Sequence, residues 1–410
     1  MSLDAIIVGG GIIGTSVAMT LSEQFPSWSI LLLEKEPQLA AHQSGRNSGV
    51  IHSGIYYPPG SLKAKTCVAG AAEMLHFCQA HQIPVEVCGK VIVASSETDL
   101  PALEELRRRG EANGVPGVRL LTRQELREIE PHSEGVQALR VPGTGITDYA
   151  AVTRKYAEIA SARGVEVRTG ARVLAICERQ NEVVVETGVG AFTAKVLVNC
   201  GGLHSDELGR AAGANTGVRI IPFRGEYYRL AEQRRALVRG LIYPVPDPRF
   251  PFLGVHFTKR INGEVEAGPN AVLALKREGY GKLEVGLRDA LGAFSYGGFW
   301  RMAAKHWKQG AGEMWRSFSK RAFVRALQKL LPELQASDLV PGGCGIRAQA
   351  VDAQGKLVDD FAFCSTQRAL HVCNVPSPAA TASLPLGRMI VSKLAEALEL
   401  PARARQEAKK

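Results

Sequence analysis

Nowhere in this chain do two cysteines stand in a CxxC pair; Cys67, Cys78, Cys88, Cys177, Cys200, Cys344, Cys364 and Cys373 are scattered. Metal-ligand spacing is therefore missing, and a chain of 410 residues does not need disulfide staples. The thiols are expected to be reduced and to serve mostly as small core residues. No apolar stretch reaches the ~18 residues that a membrane span requires. No basic region precedes the first apolar run, and that run ends in a glycine turn, so it is expected to be a strand and not a signal peptide. A cytoplasmic location is the matching expectation. No internal repeat or low-complexity segment stands out. A hydrophobic content of 45% and a charged content of 22% describe an ordinary globular protein, long enough for two intertwined domains or one large α/β body.

Acidic residues are also in deficit, leaving a net charge of +10. That balance suits an anionic cofactor, an anionic substrate or an acidic surface, and nothing in it calls for nucleic acid. The charge is concentrated. Arg301, Lys305, Lys308, Arg316, Lys320, Arg321, Arg325 and Lys329 face a single nearby acid, Glu313, with Trp300, Trp307, Trp315, Phe318 and Phe323 interleaved. One reading is an interfacial membrane helix over 300–330, peripheral on the cytoplasmic face of the inner membrane. The other is a solvated helix that packs its aromatics on the protein body. The basic tail at 402–410 reads as a frayed end.

What is present is a glycine turn between regular elements. Gly9, Gly11 and Gly14 form GxGxxG between a strand at 5–8 and a helix at 12–23, and Glu34 follows 20 residues after Gly14, at the end of a second apolar strand. Such glycines allow a tight turn, close approach of backbone to a pyrophosphate, and close helix–strand packing. The helix N-terminus offers unpaired N–H groups to the phosphates. An acid at Glu34 suits a free ribose hydroxyl and repels a 2′-phosphate. The chain is expected to use an ADP-containing cofactor.

Later segments repeat the theme. Residues 62–82 read as a helix, 85–94 as one alternating strand, 99–110 and 122–130 as charged helices, and 149–163 as a helix followed by three short strands. An apolar strand at 195–200 runs into a second glycine turn at 201–206 and another helix. Residues 218–269 are β-rich, 284–332 helical, 370–374 a strand, 375–386 a loop and 387–398 a closing helix. The fold class is α/β with an α+β cap: a Rossmann-like cofactor domain over 1–80, 145–215 and 340–400, and an inserted β-rich substrate cap over 81–144 and 216–339.

The stretch Gln43-Ser-Gly-Arg-Asn-Ser-Gly-Val-Ile-His-Ser-Gly-Ile-Tyr56 implies backbone pressed against a ligand. Here the chain resembles the FAD-dependent amino-acid oxidase superfamily and, within it, L-2-hydroxyglutarate oxidases and dehydrogenases. Further matching motifs are Thr147-Asp-Tyr-Ala150, Asn199-Cys-Gly-Gly-Leu-His-Ser-Asp206, Leu253-Gly-Val-His-Phe-Thr258, Gly268-Pro-Asn-Ala271, Gly345-Ile-Arg-Ala-Gln349 and Pro376-Ser-Pro-Ala-Ala-Thr381. The resemblance covers nearly all of 1–400. It departs at Cys344, where a smaller residue is expected; a packing role is favoured there over covalent flavin attachment.

The resemblance implies FAD as cofactor, held by Gly9, Gly11, Gly14, Glu34, Lys35, Ser44, Asn47, Ser48, Gly49, Val50, Val173, Gly201, Gly202, Pro378, Ala379 and Thr381. It implies hydride transfer from Cα of a 2-hydroxy acid to flavin N5. The protein must then orient the substrate, neutralise its carboxylates and accept one proton. Histidine is the natural base, and His52 and His256 lie in two matched motifs. Arg347 is the choice for the carboxylate beside the reacting carbon, because a guanidinium forks onto it. Arg224 and Lys63 are candidates for the far carboxylate, and Tyr57 for a phenolic hydrogen bond. Electrons would pass to a membrane quinone or to oxygen. Two alternatives stay open: an oxidase of another hydroxy acid or of an amino acid such as glycine or sarcosine, and a redox-inactive flavoprotein scaffold.

Overall fold

The computed structural model describes residues 2–246 and 253–398, so the basic tail lies outside the described residues. The chain divides into two compact units. One comprises Met1–Gly45, Tyr149–Ile220 and Val358–Lys410; the other comprises Arg46–Asp148 and Ile221–Leu357. Residues 46–80, 145–148 and 340–357, expected in the cofactor domain, group with the second unit.

The first unit is built on Leu3–Val8, which pairs in parallel with Ile30–Leu33 on one side and Gly190–Asn199 on the other. Glu166–Arg168 extends the parallel order beyond Ile30–Leu33, and Ala369–Asn374 lies parallel to Gly190–Asn199. An antiparallel ribbon, Val173–Glu178 with Val183–Thr187, joins the same sheet. The central strands are nearly continuous apolar runs because helices cover them, and Ile30–Leu33 is buried throughout. The helix Ile12–Gln24 is itself buried on almost every side, which explains why its sequence shows little polar face. Ser16 Oγ donates to the Ser383 carbonyl at 2.7 Å. A Cβ on Gly387 would come within 2.2 Å of that same Ser16 oxygen. The last helix runs Ser383–Ala397 and not from 387, since Pro385 falls in its first turn, where a missing N–H leaves no intrahelical bond unmade.

The second unit carries a mixed sheet in the order Val272–Leu273, Val218–Leu230, Val265–Gly268, His256–Lys259, Leu241–Pro244, Lys90–Ala94, Gln137–Val141, Arg119–Leu121, with Leu339–Asp352 also pairing Val218–Leu230. A small sheet joins Val50–Ile51 and Val85–Glu86 to opposite sides of Gly145–Thr147. The single strand expected over 85–94 is thus two strands in two sheets. Gly89, at φ 72°, makes the break, and its N–H donates to the Thr144 carbonyl at 2.9 Å. Lys90–Ala94 is buried along its whole length between Leu241–Pro244 and Gln137–Val141.

Helices Leu287–Phe294, Gly297–Phe318 and Lys320–Leu327 follow, the second kinked at His306. Phe299, Met302 and Phe323 pack inward. Ten of the fifteen exposed large hydrophobic side chains of the described residues lie between Leu283 and Phe318, among them Leu287, Leu291, Trp300, Trp307 and Trp315. Packing on the body therefore accounts for Phe323 and not for the tryptophans. Among the described residues no helix is long and apolar enough to cross a membrane.

Candidate active site

The candidate residues fall into two groups, one in each unit. In the first unit, Gly9 adopts φ 113°, and a Cβ there would lie 2.4 Å from the Cys200 carbonyl oxygen. A Cβ on Gly14 would lie 1.9 Å from the Gly9 oxygen, so helix and turn touch backbone to backbone. Glu34 is buried, and its oxygens accept from the Gly10 N–H at 2.6 Å and the Glu36 N–H at 2.8 Å. A carboxylate has lone pairs beyond those two and can still receive ribose hydroxyls. Ser44 Oγ accepts from the Ile12 N–H at 2.8 Å, at the start of the helix. Gly201 donates to Asn199 Oδ1 at 3.0 Å, and Gly202 takes φ 53°. This bare glycine cradle beside a helix N-terminus and a buried acid fits an adenine dinucleotide.

Other cofactor candidates of this unit have their own partners. Lys35 Nζ pairs with Glu36 Oε1 at 2.5 Å and meets His42 Nε2 at 3.0 Å. Val173 opens an antiparallel strand opposite Thr187. The buried Thr381 hydroxyl meets the Tyr149 hydroxyl at 3.0 Å, with Pro378 and Ala379 in the same turn before the last helix. Asn47, Ser48, Gly49 and Val50 belong to the second unit. Asn47 Oδ1 accepts from the Gly49 N–H at 2.8 Å, and Val50 pairs with Ile146.

In the second unit, the pairing of Val50–Ile51 with Gly145–Thr147 launches the loop that carries His52, Ser53, Tyr56 and Tyr57. Asn113 Nδ2 pins that loop, donating to the carbonyls of Gly54 at 3.1 Å and Tyr57 at 2.9 Å. Cys67 Sγ donates to the His52 carbonyl at 3.2 Å. His256 begins its strand, and its ring lies 3.9 Å from that of Tyr243. The Gly254 carbonyl, 2.8 Å from His256 Nδ1, assigns the proton to Nδ1 and leaves Nε2 as the acceptor.

Electrostatics bind these residues into one cluster. Burial, then electrostatic repulsion from Lys90, His256, Arg347 and Lys63 in that order, pull His52 down to about 3. Burial pulls His256 down to about 4; the Gly254 carbonyl opposes the shift, and Lys90 and Arg347 add to it. Both imidazoles are neutral at pH 7 and able to accept a proton. Burial pushes the Cys67 thiol up to about 12 and also raises Tyr56 and Tyr243, so all three stay protonated.

Arg347 and Lys63 thus lie within electrostatic reach of His52. Arg347 is exposed, whereas Lys63 is buried with its ammonium 4.9 Å from the Tyr57 ring centroid. Arg224 has an ionic partner of its own. Its guanidinium binds Glu226 Oε1 at 2.8 and 3.1 Å and the Gly281 carbonyl at 2.8 Å, because a buried Arg finds its counter-ion two residues along its own strand. Cys344 Sγ donates to the Tyr280 carbonyl at 2.9 Å.

Sequence reasoning missed Lys90. It is 2% exposed, with its ammonium 4.4 Å from the Tyr56 ring centroid and 5.2 Å from that of Tyr243. The available signal was a lone lysine heading the apolar run Val91–Ala94 directly after a glycine.

The family described as FAD dependent oxidoreductase matches residues 4–393. The chain is 49% identical over 388 residues to an L-2-hydroxyglutarate dehydrogenase of Indibacter alkaliphilus, covering 94% of this chain and 97% of that one. It is 47% identical over 392 residues to an L-2-hydroxyglutarate dehydrogenase of Escherichia coli strain K12, covering 95% and 93%. Among solved structures it is similar to an L-α-glycerophosphate oxidase from Mycoplasma pneumoniae with FAD bound. That likeness has a TM-score of 0.79 at 23% identity over 96% and 95% of the two chains, which shows the shared fold.

Proposed function

The chain belongs to the FAD dependent oxidoreductase family, and on that footing we propose that it oxidises L-2-hydroxyglutarate to 2-oxoglutarate. FAD is its cofactor and, when bound, supplies the acceptor for the hydride that leaves Cα. The glycine turn at Gly9, Gly11 and Gly14, with Glu34 and the turn at Gly201 and Gly202, would hold the adenine dinucleotide half.

The observation that carries the substrate reading is the cluster of two neutral histidines under the field of Arg347, Lys63 and Lys90. A dicarboxylate needs cations at both ends and a proton acceptor between them. The Gly254 carbonyl fixes the tautomer that leaves His256 Nε2 free to take the hydroxyl proton, which supports His256 as base with His52 as its hydrogen-bonding companion. The exposed guanidinium of Arg347 offers a fork to the carboxylate beside the reacting carbon.

The test is anaerobic mixing of the purified flavoprotein with each enantiomer while flavin absorbance is followed. Rapid bleaching by the L form and not the D form is expected. Bound FAD that the L form leaves oxidised would move the reading to another hydroxy or amino acid, or to a scaffold.

A second observation bears on the electron acceptor. Exposed Trp300, Trp307 and Trp315 among Arg301, Lys305 and Lys308 suit an anionic lipid surface, and this supports peripheral association with the inner membrane and quinone as acceptor. Vesicle flotation at low salt tests it. Binding to anionic and not neutral vesicles is expected, and absence of binding would turn the acceptor toward oxygen.

A further inference from the structure

Three other buried charges of the second unit have partners. Arg224 lies on Glu226 at 2.8 Å. Glu130 accepts from the Arg239 and Gly240 N–H groups at 2.9 and 2.7 Å. Glu313 accepts from the Ala271 N–H at 3.0 Å and pairs with Arg316. Lys90 breaks the rule. Its Nζ is buried with no hydrogen-bond partner among the described residues, although the side chain is 2% exposed.

Burial lowers Lys90 to about 7, and two aromatic faces are what its surroundings offer the charged form. The rings of Tyr56 and Tyr243 turn their faces toward the ammonium. The titratable groups around it are the Tyr56 and His52 loop, Cys67 on the helix Leu62–Ala80, Tyr243 on its neighbouring strand, and His256. Each is neutral or protonated near pH 7, and no carboxylate is among the groups that shift Lys90. A cation lined by π faces without a counter-ion is a receptor for an anion that arrives from outside. Both histidines feel the charge of Lys90, so that anion sits in the field of the groups that would accept the substrate proton.

Resting on the substrate reading above, we infer that Lys90 is the specificity-determining residue that holds the carboxylate remote from the reacting carbon. In this arrangement Arg347 takes the near carboxylate, the imidazoles face the hydroxyl, and Lys90 takes the far end. It fills the place for which Arg224 is disqualified by its pairing with Glu226.

The test compares two reductants of the FAD-loaded enzyme under anaerobic conditions: L-2-hydroxyglutarate and its 5-amide, in which the remote carboxylate is a neutral carboxamide. The wild type should prefer the diacid by ~10- to 100-fold in kcat/KM, the range of a charge-assisted contact. In Lys90→Met the preference should fall to within about threefold through loss on the diacid alone. Lys90→Arg should retain most of it. A Lys90→Met enzyme that keeps the preference, or that loses the reduction of both compounds equally with FAD still bound, overturns the assignment. Should Lys90→Met fail to retain FAD, the wild type decides alone, since equal use of diacid and amide overturns it. Failure of the wild type to reduce its flavin with either compound instead overturns the substrate reading beneath it.

Discussion

Arg224 and Lys90 stand in the same sheet of the second unit and are exposed by only 5% and 2%, yet they live under opposite rules. Arg224 is locked by Glu226, and Glu226 in turn accepts from Ser317 at 2.6 Å and Asn270 at 2.9 Å. Burial alone would raise that carboxyl, but the hydrogen bonds from Ser317, Asn270 and Arg224 outweigh it and hold Glu226 low. Lys90 has rings around it and no acid. A buried charge whose partner is built in belongs to the architecture; one without a partner is kept for something the fold does not contain.

The strongest way to break this contrast is to strand the paired cation. Glu226→Gln leaves Arg224 buried without its counter-ion and should destabilise the protein by ~3–5 kcal/mol in denaturant unfolding. Lys90→Met should cost no stability or raise it, because it removes an unpaired buried charge. Equal losses in the two variants would erase the distinction. Next in size, His256→Ala should slow flavin reduction ~10²-fold with FAD still bound, and an unchanged rate would remove this imidazole from proton transfer.

A pH series sharpens the comparison further. Burial lowers Lys90 from 10.5 to about 7, so its charge disappears as pH rises through 7. The kcat/KM for the diacid should then fall about tenfold per pH unit above that point. His256 and His52, at about 4 and about 3, should leave it flat down to about pH 5. Stability moves the other way. Between 7 and 10.5 the unfolded lysine binds a proton that the folded one does not, so the substrate-free wild type should gain stability relative to Lys90→Met across that interval. A wild-type thermal midpoint that falls relative to that of Lys90→Met would contradict the sign. The smallest effect on chemistry is expected from Trp300→Ala with Trp307→Ala, which should weaken vesicle binding and leave anaerobic reduction by the substrate intact.

The two units were unequally legible. Gly9 and Gly14 announce themselves because a turn that touches backbone to backbone tolerates no side chain there, and the spacing to Gly11 and Glu34 completes the pattern. His52 and His256 are 204 positions apart, and only a matched motif at each site drew attention to them. Lys90 has no spacing to betray it. Lysine is by default a surface residue, and the run at 85–94 reads as one alternating strand. Lys90–Ala94 is flanked along its edges by strands far away in sequence, and its two faces are buried in two different core clusters. Arg224 misled for the mirror reason: Glu226, two residues on, lies on the same face of the strand, and whether such a pair closes is decided by Asn270 and Ser317.

The seam between the helices Ile12–Gln24 and Ser383–Ala397 sets a timetable. Ser16 is bonded to Ser383, and Gly387 leaves no room between them, so the helix that starts the glycine turn gains its last wall only when residues some 367 positions later have been made. A chain still emerging from the ribosome carries the turn without its brace. Cofactor loading therefore belongs to the finished polypeptide, and a nascent chain halted before residue 383 should elute without the yellow colour that the full chain acquires.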